Sequence, residues 1–151
     1  MSKAPPFQLQ DFLPYLLNQA AETTGQDFQT YYKARYGMLR TEWRVLFHLG
    51  RYGDMTATEI CSRAKVHKTK VSRAVSALEA RRYLKRETRT NDRRHEALSL
   101  TSAGEAAFAD LTTEAQRYNA TLLSDFSAEE FAVVRRFLLH VARLDCKDSQ
   151  T

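Results

Sequence analysis

The sequence predicts a mostly helical, all-α chain with one small β-hairpin, and three observations support this fold class. All three prolines lie within the first 14 residues, so long helices are permitted in the rest of the 151-residue chain. Apolar residues recur at helical spacing through most of that length. The one alternating apolar pattern, which is typical of strands, falls between Leu84 and Thr101.

The first two helices are predicted from this spacing. From Phe7 to about Tyr36, apolar residues recur every three or four positions. Thr41 is a candidate cap for a second helix, and Gly50 and Gly53 are expected to end it, because glycine is common at helix C-termini. The side chains expected to face inward from the second helix are Trp43, Leu46, Phe47 and Leu49.

Three Ser/Thr-x-x-Glu motifs mark later helix starts, because the hydroxyl and the carboxylate can each accept a backbone N–H. The first motif predicts a short helix from about Ala57 to Ala64, the second opens a long helix and the third opens the last helix. The motifs are Thr56-x-x-Glu59, Ser102-x-x-Glu105 and Ser127-x-x-Glu130.

Two short runs, 84–88 and 96–101, predict a hairpin around the polar residues 89–95. An isolated hairpin is only marginally stable in water. We therefore expect this hairpin to pack against the helices that precede it.

The positive charge is concentrated in one segment. The chain has a net charge of +5, but residues 63–95 contain 12 basic and 3 acidic side chains, a local net charge of +9. The remaining residues carry 11 basic and 15 acidic side chains, a net charge of −4. One basic block on an acidic body indicates a polyanionic partner such as nucleic acid.

The helix predicted from His67 to Arg81 has two chemically different faces. Its apolar stripe consists of Val71, Ala74, Val75 and Leu78. The opposite face carries small hydroxyls and long cations, which suit DNA because hydroxyls allow close approach and Lys and Arg reach base edges or phosphates. These residues are Lys68, Thr69, Lys70, Ser72, Arg73 and Ser76.

Two helices joined by a short turn and followed by a basic hairpin form a winged helix-turn-helix. In its motifs the chain resembles the MarR family of bacterial transcriptional regulators, and the resemblance covers most of the chain. It is strongest between Thr41 and Gly104. The matching stretches are Thr41-Glu42-Trp43-Arg44-Val45-Leu46, Thr56-Ala57-Thr58-Glu59-Ile60, residues 70–79, Asp92-Arg93-Arg94 and Leu98-Ser99-Leu100-Thr101-Ser102-Ala103-Gly104.

The resemblance implies roles for individual residues. Asp92 would brace the wing through an arginine, Arg94 would enter the minor groove, and residues 69–73 would read the major groove. Arg86 and Arg93 complete the expected DNA-binding set. The resemblance also implies a homodimer on a pseudo-palindromic double-stranded operator, with half-sites roughly 34–36 Å apart.

The same resemblance suggests the organisation of the chain. Residues 1–151 would form one unit, with a DNA-binding lobe at 38–101 and a dimerisation lobe built from 7–36 and 102–146. At position 82, where relatives commonly have glycine, this chain has Arg82, which must either adopt a left-handed turn or end the helix differently.

An effector site is expected by analogy with the family, between the dimer helices and the DNA-binding lobe. Its candidate residues are Tyr15, Arg44 and His48. A cation and a phenol there would suit a small aromatic carboxylate. The expected partners are therefore DNA, a second copy of the chain and an aromatic ligand.

Other function classes have less support. We expect no enzyme, cofactor or metal site, because the chain has no Gly-rich phosphate loop, no His-Glu-x-x-His and no Gly-x-Ser-x-Gly. Cys61 is expected to be a buried structural residue, and no pairing is predicted for Cys146. Two alternatives stay open: a winged helix that docks an acidic protein, and a redox- or metal-responsive regulator of the same fold.

The chain is expected to be cytoplasmic and to make no membrane contact. Its N-terminus lacks the apolar core of a signal peptide, and no apolar run approaches the ~18 residues that cross a bilayer.

Overall fold

The structure, a computed structural model, describes residues 3–88 and 96–144. A short 3-10 turn at Leu9–Asp11 precedes the helices, and a three-stranded antiparallel sheet has the strand order β1-β3-β2. This confirms the predicted fold class. The helices are α1 (Leu13–Tyr36), α2 (Arg40–Tyr52), α3 (Ala57–Ala64), α4 (Lys68–Ala80), α5 (Ser102–Leu122) and α6 (Ala128–Val141), and the strands are β1 (Met55–Thr56), β2 (Leu84–Thr88) and β3 (Glu96–Leu100).

The chain divides into two compact units, residues 1–114 and 115–151. The first contains α1 to α4, the sheet and most of α5, and the second contains α6. The assignment of residues 38–101 and their flanks to separate lobes stays a prediction. In the described part of the chain, no helix is long and apolar enough to span a bilayer.

The core of the first unit lies between α2, α3, α4 and the sheet. Its largest fully buried side chains come from all of these elements and from α5, so the basic segment folds around a continuous apolar centre. They include Met38, Leu46, Ile60, Leu78, Leu84, Leu98 and Leu111.

Two of the predicted helix caps are confirmed and two are displaced by one or two residues. The Thr56–Glu59 and Ser127–Glu130 motifs both form reciprocal capping boxes. Thr41, however, lies inside α2, because the helix begins at Arg40 and the Glu42 carboxylate accepts the backbone N–H of Leu39.

Helix α5 is capped by Thr101 and not by Ser102. The Thr101 hydroxyl accepts the backbone N–H of Gly104 at 3.1 Å. Sequence alone favoured Ser102, because the glutamate of the motif lies three residues after it.

Only one of the two glycines expected to end α2 does so. Gly53 follows the helix with a φ of 84°, where a side chain would be strained. Gly50 lies within the helix, and a Cβ at this position would fall 2.3 Å from the Cγ of Phe108. Gly50 is therefore required for the contact between α2 and an aromatic side chain of α5.

The third strand was not predicted. Met55 and Thr56 pair with Leu98 and Ala97, which adds β1 to the predicted hairpin. A two-residue strand is too short to show an alternating pattern, so only the long-range pairing reveals it.

The second unit, 115–151, has no buried residue on α6. One side of this helix instead exposes a row of apolar side chains, with Val133 at 56% and Val134 at 48% exposure. Phe137, Leu138 and Val141 continue the row at 37%, 40% and 45%.

Candidate nucleic-acid interface

Helix α4 has the two faces that its sequence predicts. Val71, Ala74, Val75 and Leu78 are buried. All six predicted contact residues on the opposite side are exposed: Lys68, Thr69, Lys70, Ser72, Arg73 and Ser76. The buried stripe fixes the rotation of the helix, so the hydroxyls and cations face solvent along one surface.

The start of α4 is held by the residue before it. The backbone N–H of Thr69 donates to Nδ1 of His67 at 3.2 Å, in place of the usual Ser, Thr, Asp or Asn cap. This bond fixes the first turn of α4, which carries Lys68, Thr69 and Lys70. It was not predicted, because histidine is not a common capping residue.

The hairpin joins this surface through Arg86, the predicted contact residue on β2. Its guanidinium lies beside α4, with Nη2 3.4 Å from the Ser76 hydroxyl. The remaining predicted contacts, Asp92, Arg93 and Arg94, lie outside the described residues, so their roles stay predictions.

Arg86 also forms ion pairs that the sequence analysis missed. Its Nε donates to the Glu79 carboxylate on α4 at 3.0 Å, and its Nη1 lies 3.5 Å from the Glu96 carboxylate on β3. Opposite charges seven and ten residues apart have no signature in local periodicity, and the fold alone brings them together.

Arg81, another cation of the basic segment, contacts the end of α1. Its Nη1 donates to the carbonyl of Gly37 at 2.6 Å and to that of Tyr36 at 3.1 Å. A cation is favourable at these last carbonyls of α1, where the helix dipole is negative. Arg81 thus connects the end of α4 to the end of α1.

The turn between α4 and β2 explains two features of the sequence. Arg82 adopts the left-handed conformation at φ 63°, the first of the two alternatives expected for a residue other than glycine. The Thr101 hydroxyl donates to the Arg82 carbonyl at 2.6 Å, and the Thr101 N–H donates to the Tyr83 carbonyl at 3.0 Å. The Leu-Thr-x-x-Gly motif therefore anchors this turn to the start of α5.

Two of the three predicted effector residues lie together on α2. Arg44 is half-buried, and burial first and the neighbouring Arg40 second lower its pKa. The Nδ1 of His48 lies 2.6 Å from the Arg44 carbonyl, which can only accept, so Nδ1–H donates. In a neutral imidazole with this tautomer, Nε2 is an acceptor.

Tyr15 does not join this pair within one chain. The phenol that interacts with Arg44 is Tyr32, which is buried. Tyr15 lies 17 positions before Tyr32 in α1, a distance of about 26 Å along the helix axis. Tyr15 is therefore remote from the contact between Tyr32 and Arg44, and its role at an effector site stays a prediction.

A cavity of about 240 Å³ opens between α3, α4 and β2. Cys61 lines this cavity and is half-buried, so the expectation of a buried cysteine is wrong. Within residues 3–88 and 96–144, no three His, Cys, Asp or Glu side chains form a group that could hold a metal ion. The cavity is lined by Ala57, Thr58, Cys61, Lys68, Ser72, Val75 and Arg86.

Comparison with known proteins supports the interpretation of α4 and the hairpin as a DNA-binding surface. Residues 36–95 match the sequence model of the MarR family. An uncharacterized HTH-type transcriptional regulator of Bacillus subtilis (strain 168), YwoH, is 28% identical over 95 residues, which cover 63% of this chain and 69% of YwoH.

Two solved structures share the fold over nearly their whole length. The MarR family regulator SPO1453 from Silicibacter pomeroyi DSS-3 superposes with a TM-score of 0.75 at 28% identity, covering 91% of this chain and 99% of that one. BpsR from Bordetella bronchiseptica, whose DNA binding is regulated by 6-hydroxynicotinic acid, superposes with a TM-score of 0.81 at 18% identity, covering 93% and 99%.

Proposed function

Because this chain belongs to the MarR family of transcriptional regulators, we propose that it is a repressor that binds a pseudo-palindromic operator as a homodimer and leaves it when a small aromatic acid binds. The observation that carries the proposal is the exposed face of α4. Hydroxyls and cations cover the side opposite the buried stripe, and no acidic residue interrupts them between Lys68 and Ser76. Such a surface suits the major groove.

Specific DNA binding is tested by titrating the protein against its candidate operator and a scrambled duplex at several salt concentrations. We expect tighter binding to the operator at every salt concentration, because base contacts add to the salt-dependent phosphate contacts. Equal binding to both duplexes would contradict a sequence-specific regulator. Retention on an acidic protein without binding to DNA would support the alternative of a protein-docking module.

Dimerisation is supported by exposed apolar residues in each unit. On α6 they form the row that starts at Val133, and in the first unit Phe7, Leu9 and Leu13 are 72%, 57% and 50% exposed. Apolar residues at this density on a surface are typical of an interface between proteins. Light scattering after size-exclusion chromatography should give the mass of a dimer, and a monomer at micromolar concentration would contradict the proposal.

A pair of variants on α6 separates the apolar row from the rest of the helix. Phe137→Glu places a charge in the row and should shift the protein towards the monomer. Arg135→Glu adds an acid two residues away, about 160° around the helix from Phe137, and should leave the dimer intact. Equal effects of the two variants would show that the row is not the interface.

The aromatic acid is supported by Arg44 and His48. Within the described residues, no carboxylate pairs with the half-buried Arg44 guanidinium, and a desolvated cation favours an anionic partner. The Nε2 of His48 can accept a hydrogen bond from a phenol. Regulation of BpsR by 6-hydroxynicotinic acid supports a ligand of this class.

Binding is tested by the thermal shift that 6-hydroxynicotinic acid and simpler hydroxybenzoic acids produce. Arg44→Gln should abolish the shift, whereas Arg51→Gln, an exposed position on the same helix, should retain it. An unchanged shift in Arg44→Gln would place the ligand elsewhere. Release of DNA by peroxide, prevented by Cys61→Ser, would instead support the redox-responsive alternative.

A further inference from the structure

Arg86 connects the three elements that present the DNA-binding surface. It lies on β2 and contacts Glu79 on α4 at 3.0 Å and Glu96 on β3 at 3.5 Å. Its Nη2 also lies 3.4 Å from the Ser76 hydroxyl of α4. One guanidinium thereby ties the C-terminal half of α4 to both strands of the hairpin.

This arrangement differs from an ordinary surface ion pair. Exposed pairs contribute little when two long side chains must be ordered for one contact. Here one arginine pairs with two carboxylates, and the planar guanidinium fixes the directions of both contacts. The side chains of Arg86, Glu79 and Glu96 are only 36%, 44% and 30% exposed, so the pairs are partly shielded from solvent.

The same contacts oppose a direct role in phosphate binding. Two of the five guanidinium N–H groups already point to carboxylates, whose negative charges repel a phosphate at the remaining donors. We propose, on the basis of the DNA-binding function proposed above, that Arg86 is a positioning residue, which sets the hairpin against α4 and does not itself contact DNA. The strands that it holds lead directly into residues 89–95.

Substitution of Glu79 distinguishes a positioning role of Arg86 from a purely electrostatic one. Removing an acid beside DNA should tighten binding if electrostatics alone acts. Glu79 also lies in the last turn of α4, where a negative charge opposes the helix dipole, and alanine is the better helix former. Weaker binding by Glu79→Ala would therefore have to come from loss of the contact with Arg86.

A matched control lies on β2. Glu87 is also an exposed acid of the hairpin, but it pairs with Lys85 of the same strand at 3.5 Å, and among residues 3–88 and 96–144 it forms no ion pair with a second element. Glu87→Ala removes the same charge from the same region without touching Arg86.

The experiment titrates one operator duplex against five proteins at several salt concentrations: wild type, Arg86→Ala, Glu79→Ala, the double variant and Glu87→Ala. We expect Arg86→Ala and Glu79→Ala each to weaken binding about fivefold. The double variant should bind about as tightly as the single variants, because the two residues act through one contact. Glu87→Ala should bind as tightly as wild type or more tightly. The salt slope of Arg86→Ala should match that of wild type.

The inference is overturned if Arg86→Ala lowers the salt slope by about one unit, the value for one lost phosphate contact, or if Glu79→Ala tightens binding as Glu87→Ala does. Amide hydrogen exchange without DNA tests separately whether Arg86 holds the hairpin against α4. Arg86→Ala and Glu79→Ala should both speed exchange in residues 84–88 and 96–100, and Glu87→Ala should not. The exchange rates test the role of Arg86 even if the wild-type protein binds no specific operator. Absence of specific DNA binding would refute the proposed function but not the role of Arg86 in holding the hairpin.

Discussion

Gly104 lies in direct contact with the backbone carbonyl of Tyr83. A Cβ at position 104 would fall 2.0 Å from that oxygen and 3.3 Å from the Cβ of Leu100. The same carbonyl accepts the N–H of Thr101 at 3.0 Å. Helix α5 therefore starts against the turn that connects α4 to β2, and only glycine leaves room for this approach.

Gly104→Ala should lower the free energy of unfolding by about 2–3 kcal/mol, because the added methyl meets backbone and the turn must move. Urea unfolding measures the change. Gly25→Ala in α1 is the control, since nothing lies within 4 Å of a Cβ there. It should raise stability by about 0.5–1 kcal/mol. A Gly104→Ala protein as stable as wild type would show that the turn adjusts at no cost.

Arg82→Gly should stabilise the protein. Arg82 has a φ of 63°, which costs a residue with a side chain about 1–2 kcal/mol. Glycine removes that strain but loses more entropy on folding, so the expected net gain is about 0.5–1 kcal/mol. The control, Ala80→Gly at the last residue of α4, should cost about 1 kcal/mol. If both variants lose stability equally in urea unfolding, the left-handed turn carries no strain.

Asp110→Asn should change how stability depends on acid pH. Hydrogen bonds from Tyr36 first and Arg35 second lower the pKa of Asp110 below its ordinary value. At pH values above the ordinary pKa of an aspartate, the ionised Asp110 carboxylate therefore stabilises the folded protein. This contribution is lost as the pH falls through the lowered pKa. The stability difference between wild type and Asp110→Asn should be present at neutral pH and shrink below about pH 4.

The measurement is thermal unfolding of both proteins across that range. Asp125→Asn, a substitution of an exposed aspartate outside this network, serves as the control and should follow wild type at every pH. A difference for Asp110→Asn that persists at the lowest pH would show that its effect comes from packing and not from the ionised carboxylate.

Lys70→Ala and Arg73→Ala should reduce operator affinity more than affinity for random DNA. Both side chains are exposed on α4, on the side away from its buried stripe. A base-edge contact contributes about 1–3 kcal/mol of discrimination, whereas a phosphate contact weakens all duplexes alike. Competition titrations with the two duplexes distinguish these cases. Equal weakening on both would mean that the two residues contact phosphates only.

Arg94→Ala should weaken binding and remove any preference for A·T-rich flanks, where a narrow minor groove attracts arginine. Asp92→Ala should also weaken binding, although it removes a negative charge, because the resemblance assigns Asp92 to bracing an arginine of the wing. Arg93→Ala should cost little and lower the salt slope by about one unit. Salt-dependent titration of the three variants tests all of these. Tighter binding by Asp92→Ala at every salt concentration would indicate a generic cationic patch.

Elements with strong local signals could be predicted from the sequence. The apolar stripe of α4, its exposed cations, two of the capping boxes and the two strands of the hairpin all follow from spacing within one segment, because helical and strand periods repeat over a few residues. These signals also indicated nucleic acid as the partner, since the charge imbalance is a property of composition.

Contacts between residues far apart in the chain could not be predicted from local patterns. Arg86 and Arg81 look alike in the sequence, but one lies against α4 and β3 while the other caps α1, because the fold brings different acceptors to each. The role of Gly104 and the strand at Met55–Thr56 also depend on partners more than 20 residues away. Such contacts leave no local period, and so only the folded chain shows which cations remain available to DNA.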